Sequence, residues 1–183
     1  IDSIPTIEMA KITTLITNDS YLVKGTVREH LSVRKNITEE EMYNALEKVN
    51  LRDFVEEHGG LDYELAIGAA NLSGGQKQRL LAAKAILKDS YLYILDEAVS
   101  NIDDYSKEIV LNAFDSIKEG KIIIVISHDL ETVTNADNIY VLKDKKIIEE
   151  GIHDELIEEN SLYRKLFTDQ QQLKSKFLAK EVE

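Results

Sequence analysis

Leu92-Tyr93-Ile94-Leu95-Asp96-Glu97 is an apolar run that ends in two carboxylates, and it decides the fold class. Tyr91–Leu95 and a second apolar run, Ile122–Ile126, have the length and composition of strands buried on both faces. Between them the apolar spacing predicts a helix that Gly120 ends. Strand, crossover helix and strand form the unit of a parallel sheet, whose ligands bind beyond the carboxyl ends of the strands. The sequence therefore predicts an α/β fold.

The segment before this unit predicts one more strand and a set of helices. Lys11–Thr17 is rich in β-branched residues and predicts a strand that ends at Asn18. A long helical region is expected after Gly25. In it, Thr38 and Glu41 have the spacing of a capping box, which predicts the start of a helix. The α/β core therefore carries a helical insertion.

The segment after the unit predicts a hairpin and a terminal helix. Ile139–Leu142 and Lys146–Ile148 are the expected strands of the hairpin, with Asp144-Lys145 at the turn. Ser161–Glu183 has the apolar spacing of a helix.

Composition excludes several classes of function. The 183 residues predict about one domain, and the absence of cysteine excludes a disulfide scaffold and a thiolate metal site. With 22 basic and 34 acidic residues the net charge is −12, which argues against nucleic acid and anionic membrane surfaces as partners. The apolar runs are too short to span a membrane, and Ile1-Asp2-Ser3-Ile4-Pro5 is unlike a signal peptide. A soluble, intracellular chain is expected.

Ser73-Gly74-Gly75-Gln76 opens a helix and has two interpretations. The amides at a helix N-terminus lack intrahelical partners, and two glycines would let a phosphate approach them closely. Ser73 and Gln76 alone also fit a capping box, which would make this only a well-capped structural helix.

The two carboxylates after the first apolar run also allow two interpretations. Asp96 provides an oxygen ligand of the kind that suits Mg²⁺, and Glu97 could orient or deprotonate an attacking water. For a lone Asp-Glu pair, an acidic turn that caps the next helix is the better interpretation. His128 follows the second apolar run, where a single histidine is more often a loop residue than a catalytic one. The other three histidines lack the spacing of a zinc site.

The complete strings carry a resemblance to a known family. Leu72–Leu80, LSGGQKQRL, resembles the signature motif of ATP-binding cassette (ABC) ATPases. Leu92–Glu97 resembles a Walker B motif followed by the catalytic glutamate of that family, and Ser100–Asp103 is similar to its D-loop. His128 stands where the family carries its switch histidine.

Three outer segments are similar to exporters of this family. Lys24–Leu31 resembles S-G-T-I-R-E-N-I, and Glu150–Leu156 resembles E-G-T-H-E-E-L. Ser161–Phe167 resembles the segment that follows it. The resemblance implies the nucleotide-binding domain of an ABC exporter, with a parallel sheet and an α-helical signature subdomain.

The resemblance also implies cofactors, partners and residue roles. ATP and Mg²⁺ are the expected cofactors. The expected partners are a second nucleotide-binding domain, arranged head to tail with this one, and the transmembrane domain of the transporter, and nucleic acid is not expected as a partner. The expected location is the cytoplasmic face of the cell membrane. The implied site residues are Glu97 and His128 for catalysis, Asp96 and Asn18 for the metal, and Ser73, Gly74, Gly75, Gln76 and Asp103 for the nucleotide. The implied divisions are 1–24 (core strand and Q-loop), 25–89 (helical subdomain), 90–157 (core and terminal hairpin) and 158–183 (terminal helix).

One family motif is missing from these 183 residues. A phosphate-binding loop needs G-x-x-x-x-G-K-[ST], and the Gly-Lys pair at Gly120-Lys121 does not fit it. Ile1-Asp2-Ser3 resembles the segment that follows this loop in the family. We therefore expect a chain truncated after the P-loop, without the N-terminal antiparallel strands and the P-loop strand. Alone it should be inactive, with Ile122–Ile126 as an unpaired apolar edge.

Three residues depart from the pattern of the family. Asn18 stands at the place of the family's Q-loop glutamine, Ile67 at that of a glutamate, and Asp129 at that of an arginine frequent in exporters.

Two alternative functions remain open. One is a non-transport ABC ATPase that acts on DNA or ribosomes, and the other is a non-catalytic truncated cassette that serves as an interaction module.

Overall fold

The computed structural model describes residues 5–158 and 161–180. The chain divides into two compact units, Ile1–Ile126 and Ser127–Glu183. In chain order the first unit contains α1 (Thr6–Ile12), β1 (Thr13–Thr17), β2 (Gly25–Thr26), α2 (Val27–Leu31), α3 (Glu39–Lys48), α4 (Arg52–Glu57), β3 (Glu64–Leu65), α5 (Gly74–Lys88), β4 (Leu92–Asp96), α6 (Asp104–Asp115) and β5 (Ile122–Ile126). The second contains β6 (Ile139–Lys143), β7 (Lys146–Gly151), α7 (His153–Glu158) and α8 (Leu162–Lys180).

A three-stranded parallel sheet organises the first unit. Its order is β1-β4-β5, and the register is continuous, so that Thr14, Tyr93 and Ile123 form one row across the sheet. This confirms the α/β class and the strand–helix–strand unit. The carboxyl ends of all three strands therefore meet at one edge, where Thr17, Asp96 and Ile126 are aligned.

The two faces of the sheet differ in burial. Ile16, Tyr93 and Leu95 belong to the buried core, in which the Tyr93 ring meets the Phe114 ring of α6 edge-on with centroids 5.4 Å apart. On the opposite face Leu15 is exposed, as are three isoleucines of β5 (Ile122, Ile124, Ile126). The prediction that β5 is buried on both faces is wrong, because no described element covers this side of the strand.

The helical insertion packs on the buried side through residues that the periodicity indicates. Thr38 accepts a hydrogen bond from the Glu41 amide and the Glu41 side chain accepts one from the Thr38 amide, which confirms the predicted capping box. Met42 and Leu46 of α3 are buried, and α3 packs against α5, where Leu80 is also buried. These contacts join the insertion to the helix that begins after Ser73.

Several predicted boundaries are wrong. Lys11 and Ile12 close α1 instead of opening a strand, because the Pro5 carbonyl starts a helical turn and Lys11 pairs with Glu8 within it. The single long helical region is divided among α2, α3 and α4, and the short strands β2 and β3 pair with each other. α6 ends at Asp115, five residues before Gly120, which lies in the turn before β5.

The second unit contains the predicted hairpin. β6 and β7 pair antiparallel around Asp144 and Lys145, whose φ values of 50° and 65° are those of a two-residue type I′ turn. The Glu149 carboxylate accepts hydrogen bonds from the amides of Leu162 (2.6 Å) and Tyr163 (2.9 Å), which caps α8. α8 confirms the predicted terminal helix as far as Lys180, and residues 181–183 lie outside the described part, as does Ile1-Asp2-Ser3. Among the described helices, none has the length and apolarity needed to cross a membrane.

Candidate functional site

A capping box fixes the N-terminus of α5. The Ser73 hydroxyl accepts a hydrogen bond from the Gln76 amide (3.1 Å), and the Gln76 side chain accepts one from the Ser73 amide (2.9 Å). The box leaves the first helical amides, those of Gly74 and Gly75, without an intrahelical acceptor. The structural interpretation of Ser73 and Gln76 is therefore correct, and it is compatible with an anion at the same helix end.

The two glycines have different surroundings. Gly74 is exposed, and a Cβ built on it has no atom within 4 Å. Gly75 is buried, and a Cβ there would lie 2.2 Å from Ser106 Oγ and 2.6 Å from Asp103 Oδ2. Gly74 thus keeps the helix end accessible, whereas Gly75 allows α5 to contact the start of α6.

This contact places Asp103 beside α5, which begins within the signature string Leu72–Leu80 and which we call the signature helix. Its carboxylate caps α6 by accepting a hydrogen bond from the Ser106 amide (2.8 Å). That bond, the Ser106 hydroxyl and the charge of Arg79 hold the pKa of Asp103 below its ordinary value. Asp103 and Gly75, which lie 28 positions apart in the sequence, therefore share one site in the structure.

The two candidate metal ligands follow from neighbouring strands. Asp96 is the last residue of β4 and pairs in register with Thr17, the last residue of β1. Asn18 comes next and is exposed in a turn in which Thr17 N donates to Ser20 Oγ (2.9 Å). In residues 5–158 and 161–180, no three His, Cys, Asp or Glu side chains form a metal cluster. One carboxylate and one amide oxygen fit Mg²⁺, which keeps several waters, better than a metal held by protein alone.

Glu97 has an unusual backbone conformation at the end of β4. Its φ of 52° lies in the left-handed region, which costs a non-glycine residue roughly 1–2 kcal/mol. The strain is held by neighbouring hydrogen bonds: Glu97 N donates to Ile126 O (3.0 Å), and Ser100 Oγ donates to Glu97 O (2.8 Å). Such strain is concentrated at functional sites, which makes Glu97 a candidate independent of the motif.

His128 lies in the second unit, two residues beyond the end of β5 in the sequence. Its carbonyl accepts a hydrogen bond from Gln170 Nε2 (2.9 Å), and Gln170 Oε1 accepts one from the Leu130 amide (2.8 Å). Gln170 on α8 therefore fixes the backbone around the histidine within that unit. The catalytic role of His128 stays a prediction.

Sequence reasoning missed three residues around the signature helix. Arg79 lies inside the signature string without an assigned role, and Asn50 and Tyr105 were not singled out. Asn50 follows α3 with φ of 55°, and an asparagine directly after a helix is a signal for this left-handed cap. Their contacts with Arg79 join segments distant in the sequence, which no local pattern indicates.

A groove of about 300 Å³ lies beside β1 and α5. Tyr21, Lys84 and Lys88 are part of its lining, whereas none of the predicted site residues is. The predicted site residues do not line this groove, although Ser20, in the turn that carries Asn18, does.

Comparison with known families shows which family the chain belongs to. The model of a family described as ABC transporter matches residues 7–100, a little over half of the chain. The chain belongs to the ABC transporter family. The match includes the signature string, the end of β4 and Glu97.

Similar ABC proteins are longer than this chain. An uncharacterized ABC transporter ATP-binding protein of Haemophilus influenzae is 48% identical over 160 residues, which cover 87% of this chain and 29% of that protein. An ATP-dependent lipid A-core flippase of Francisella tularensis is 35% identical over 156 residues, covering 84% of this chain and 26% of the flippase. The chain therefore spans less than a third of the length of these relatives.

A solved structure has the same fold. The structure of a bacterial Atm1-family ABC exporter with ATP bound superimposes with a TM-score of 0.84 at 26% identity, over 93% of this chain and 30% of that one. The predicted resemblance to the ATPase part of an ABC exporter is confirmed.

Proposed function

We propose that this chain is part of the motor domain of an ABC exporter, in which ATP binding and hydrolysis drive a membrane domain between its states. The observation that carries the proposal is the alignment of two strand ends, in which Asp96 pairs with Thr17. Asn18 follows Thr17 in the chain, and Glu97, with its strained backbone, follows Asp96. Relatives named as a flippase and an exporter support it.

The residues at the sheet edge would serve the hydrolytic step. Asp96 and Asn18 would hold hydrated Mg²⁺, which when bound offsets the negative charge of the phosphates. Glu97 would orient the attacking water or accept its proton, and His128 would contact the γ-phosphate.

The start of α5 would act on the nucleotide of a second cassette. Ser73, Gly74, Gly75 and Gln76 present a helix end that favours an anion, and Asp103 would lie at the boundary between the two cassettes. The cassettes would be arranged head to tail on the cytoplasmic face of the membrane, attached to the transmembrane domain. Asn18 and the loop around Glu64 would lie on the side that faces that domain.

The 183-residue chain alone should not turn over ATP, because its sequence contains no G-x-x-x-x-G-K-[ST] loop to hold the phosphates. Activity requires a transporter that carries this chain together with such a loop.

Substitution of Glu97 tests the proposal in that transporter. Glu97→Gln removes the base but keeps the size of the side chain, so ATP hydrolysis should fall by about 100-fold or more while ATP binding is retained. Glu108→Gln, an exposed position on α6, is the matched control and should keep full activity. Equal activity of the wild-type and Glu97→Gln proteins would contradict the proposal.

A further inference from the structure

Arg79 connects three helices of the first unit. It lies on α5, six residues after Ser73, and its Nη1 donates to the Asn50 carbonyl just beyond α3 (2.9 Å). Its guanidinium carbon also lies 5.8 Å from the centre of the Tyr105 ring, at the beginning of α6. A guanidinium over an aromatic face at this distance is attracted to it.

Asn50 and Tyr105 complete the arrangement. Asn50 Nδ2 donates to the Tyr105 hydroxyl (2.8 Å), and Asn50 N donates to Glu47 O (3.0 Å), which fixes the left-handed turn after α3. Arg79 thus contacts the Asn50 backbone carbonyl and the Tyr105 ring, while the Asn50 side chain contacts the Tyr105 hydroxyl. We call this group the Asn50–Arg79–Tyr105 cluster.

The cluster stands next to the contact between the signature helix and Asp103. Tyr105 is two residues after Asp103, and Arg79 is four residues after Gly75, one helical turn along α5. Gly75 itself has no space for a Cβ against Ser106 and Asp103. The N-terminal ends of α5 and α6, which carry the predicted nucleotide residues, are therefore joined by two contacts: Gly75 with Ser106 and Asp103, and Arg79 with Tyr105.

We propose that Asn50, Arg79 and Tyr105 are positioning residues that hold the N-terminus of α5 and Asp103 in one fixed arrangement, ready to meet the nucleotide of a second cassette. The inference rests on the proposed function, since it concerns the same site. A surface that must be ordered before it binds loses apparent affinity in proportion to the fraction in the competent state. The cluster would keep that fraction high.

The experiment uses the transporter that carries this chain. Tyr105→Phe removes the hydroxyl that accepts from Asn50 but keeps the ring under Arg79. Asn50→Gly removes the amide group but accommodates the positive φ. Tyr91→Phe is the control, because this tyrosine is 69% exposed, directly precedes β4 and lies outside the cluster.

The kinetic readout is the KM for ATP measured separately from kcat. Each cluster variant should raise the KM about fivefold, the factor expected from one net hydrogen bond, with kcat nearly unchanged. A merely structural role would lower the amount of active protein and leave the KM unchanged. Unchanged KM values in both variants, with normal activity of the wild type, would overturn the inference.

A distance measurement separates this inference from the proposed function. The chain has no cysteine of its own, so in a transporter whose other cysteines have been replaced, spin labels can be placed at Glu40→Cys on α3 and Glu108→Cys on α6, both exposed. The distance distribution between the labels should broaden in Tyr105→Phe and Asn50→Gly but not in Tyr91→Phe. A wild type without ATPase activity would contradict the proposed function alone, whereas identical distributions in all variants would overturn the role of the cluster.

Discussion

A Cβ on Gly75 would lie 2.2 Å from the Oγ of Ser106, so the signature helix and α6 are in contact without space for a methyl group. Gly75 and Ser106 are both buried, whereas the neighbouring Gly74 and Asp103 are exposed. Because Ser106 also holds the Asp103 carboxylate, any shift of α5 at Gly75 would displace Asp103 as well.

Gly75→Ala should therefore destabilise the chain, whereas Gly74→Ala should not. Overpacking a buried contact costs about 1–3 kcal/mol of unfolding free energy. An alanine at Gly74 meets open space and should change this free energy by less than about 1 kcal/mol. Urea unfolding of the two variants beside the wild type measures the difference, and equal stabilities of the two variants would contradict the packing described for Gly75.

His30 should make stability depend on pH. The residue is 5% exposed, and its Nε2 lies 2.9 Å from the Val23 carbonyl. Burial holds the pKa of His30 below 6.5, and the charge of Lys84 acts in the same direction. The hydrogen bond to Val23 and the charge of Glu29 oppose this shift. Since the folded-state pKa is lowered, the unfolded chain binds the proton more readily. The unfolding free energy should be highest above pH 6.5 and fall as the pH drops below it.

The matched variant for this prediction is His30→Asn, which retains a hydrogen-bond donor but does not titrate. The fall in stability just below pH 6.5 should be smaller in this variant than in the wild type. Identical pH profiles of the urea midpoint in the two proteins would show that His30 is not the group responsible.

The exposed face of the sheet should cause the isolated chain to associate. Ile122, Ile124 and Ile126 are 64%, 44% and 48% exposed, and β5 has β4 as its one paired strand among the described residues. Open apolar edges promote pairing between chains. Ile124→Lys should shift the sedimentation profile toward monomer, whereas Ile67→Lys, at a 72% exposed position outside the sheet, should not. A wild-type chain that remains a monodisperse monomer would contradict this.

Short-range patterns predicted much of this fold. The capping boxes at Thr38 and Ser73, the strand before Asp96 and the turn at Asp144 were predicted because each depends on a few consecutive residues. The start of β1 was not predicted correctly. β-Branched residues favour a strand at Lys11, but the preceding Pro5 begins a helical turn that includes it.

Contacts between distant segments could not be predicted in the same way. The unpaired edge of β5 is expected from the missing P-loop strand, but the exposure of its face depends on which element covers the sheet, and the sequence of the strand carries no such information. Likewise, the bonds from Asn50 to Tyr105 and from Arg79 to Asn50 join positions 55 and 29 residues apart. The candidate site residues came from motifs, whereas the packing that brings Gly75 to Asp103 came only from the structure.

The central claim is that the N-terminus of α5 contacts the nucleotide of a second cassette. The most direct test uses a cassette that contains this chain and a P-loop, and that carries Glu97→Gln to prevent turnover. Light scattering measures the molar mass of this cassette with and without MgATP. We predict a dimer with MgATP and a monomer without it. Gly74→Glu, added to Glu97→Gln, introduces a carboxylate at a position where a side chain meets open space, so the fold should be retained. The negative charge of this carboxylate should repel a phosphate from the N-terminus of α5. This double variant should remain monomeric with MgATP, and a dimer of unchanged stability would contradict the claim.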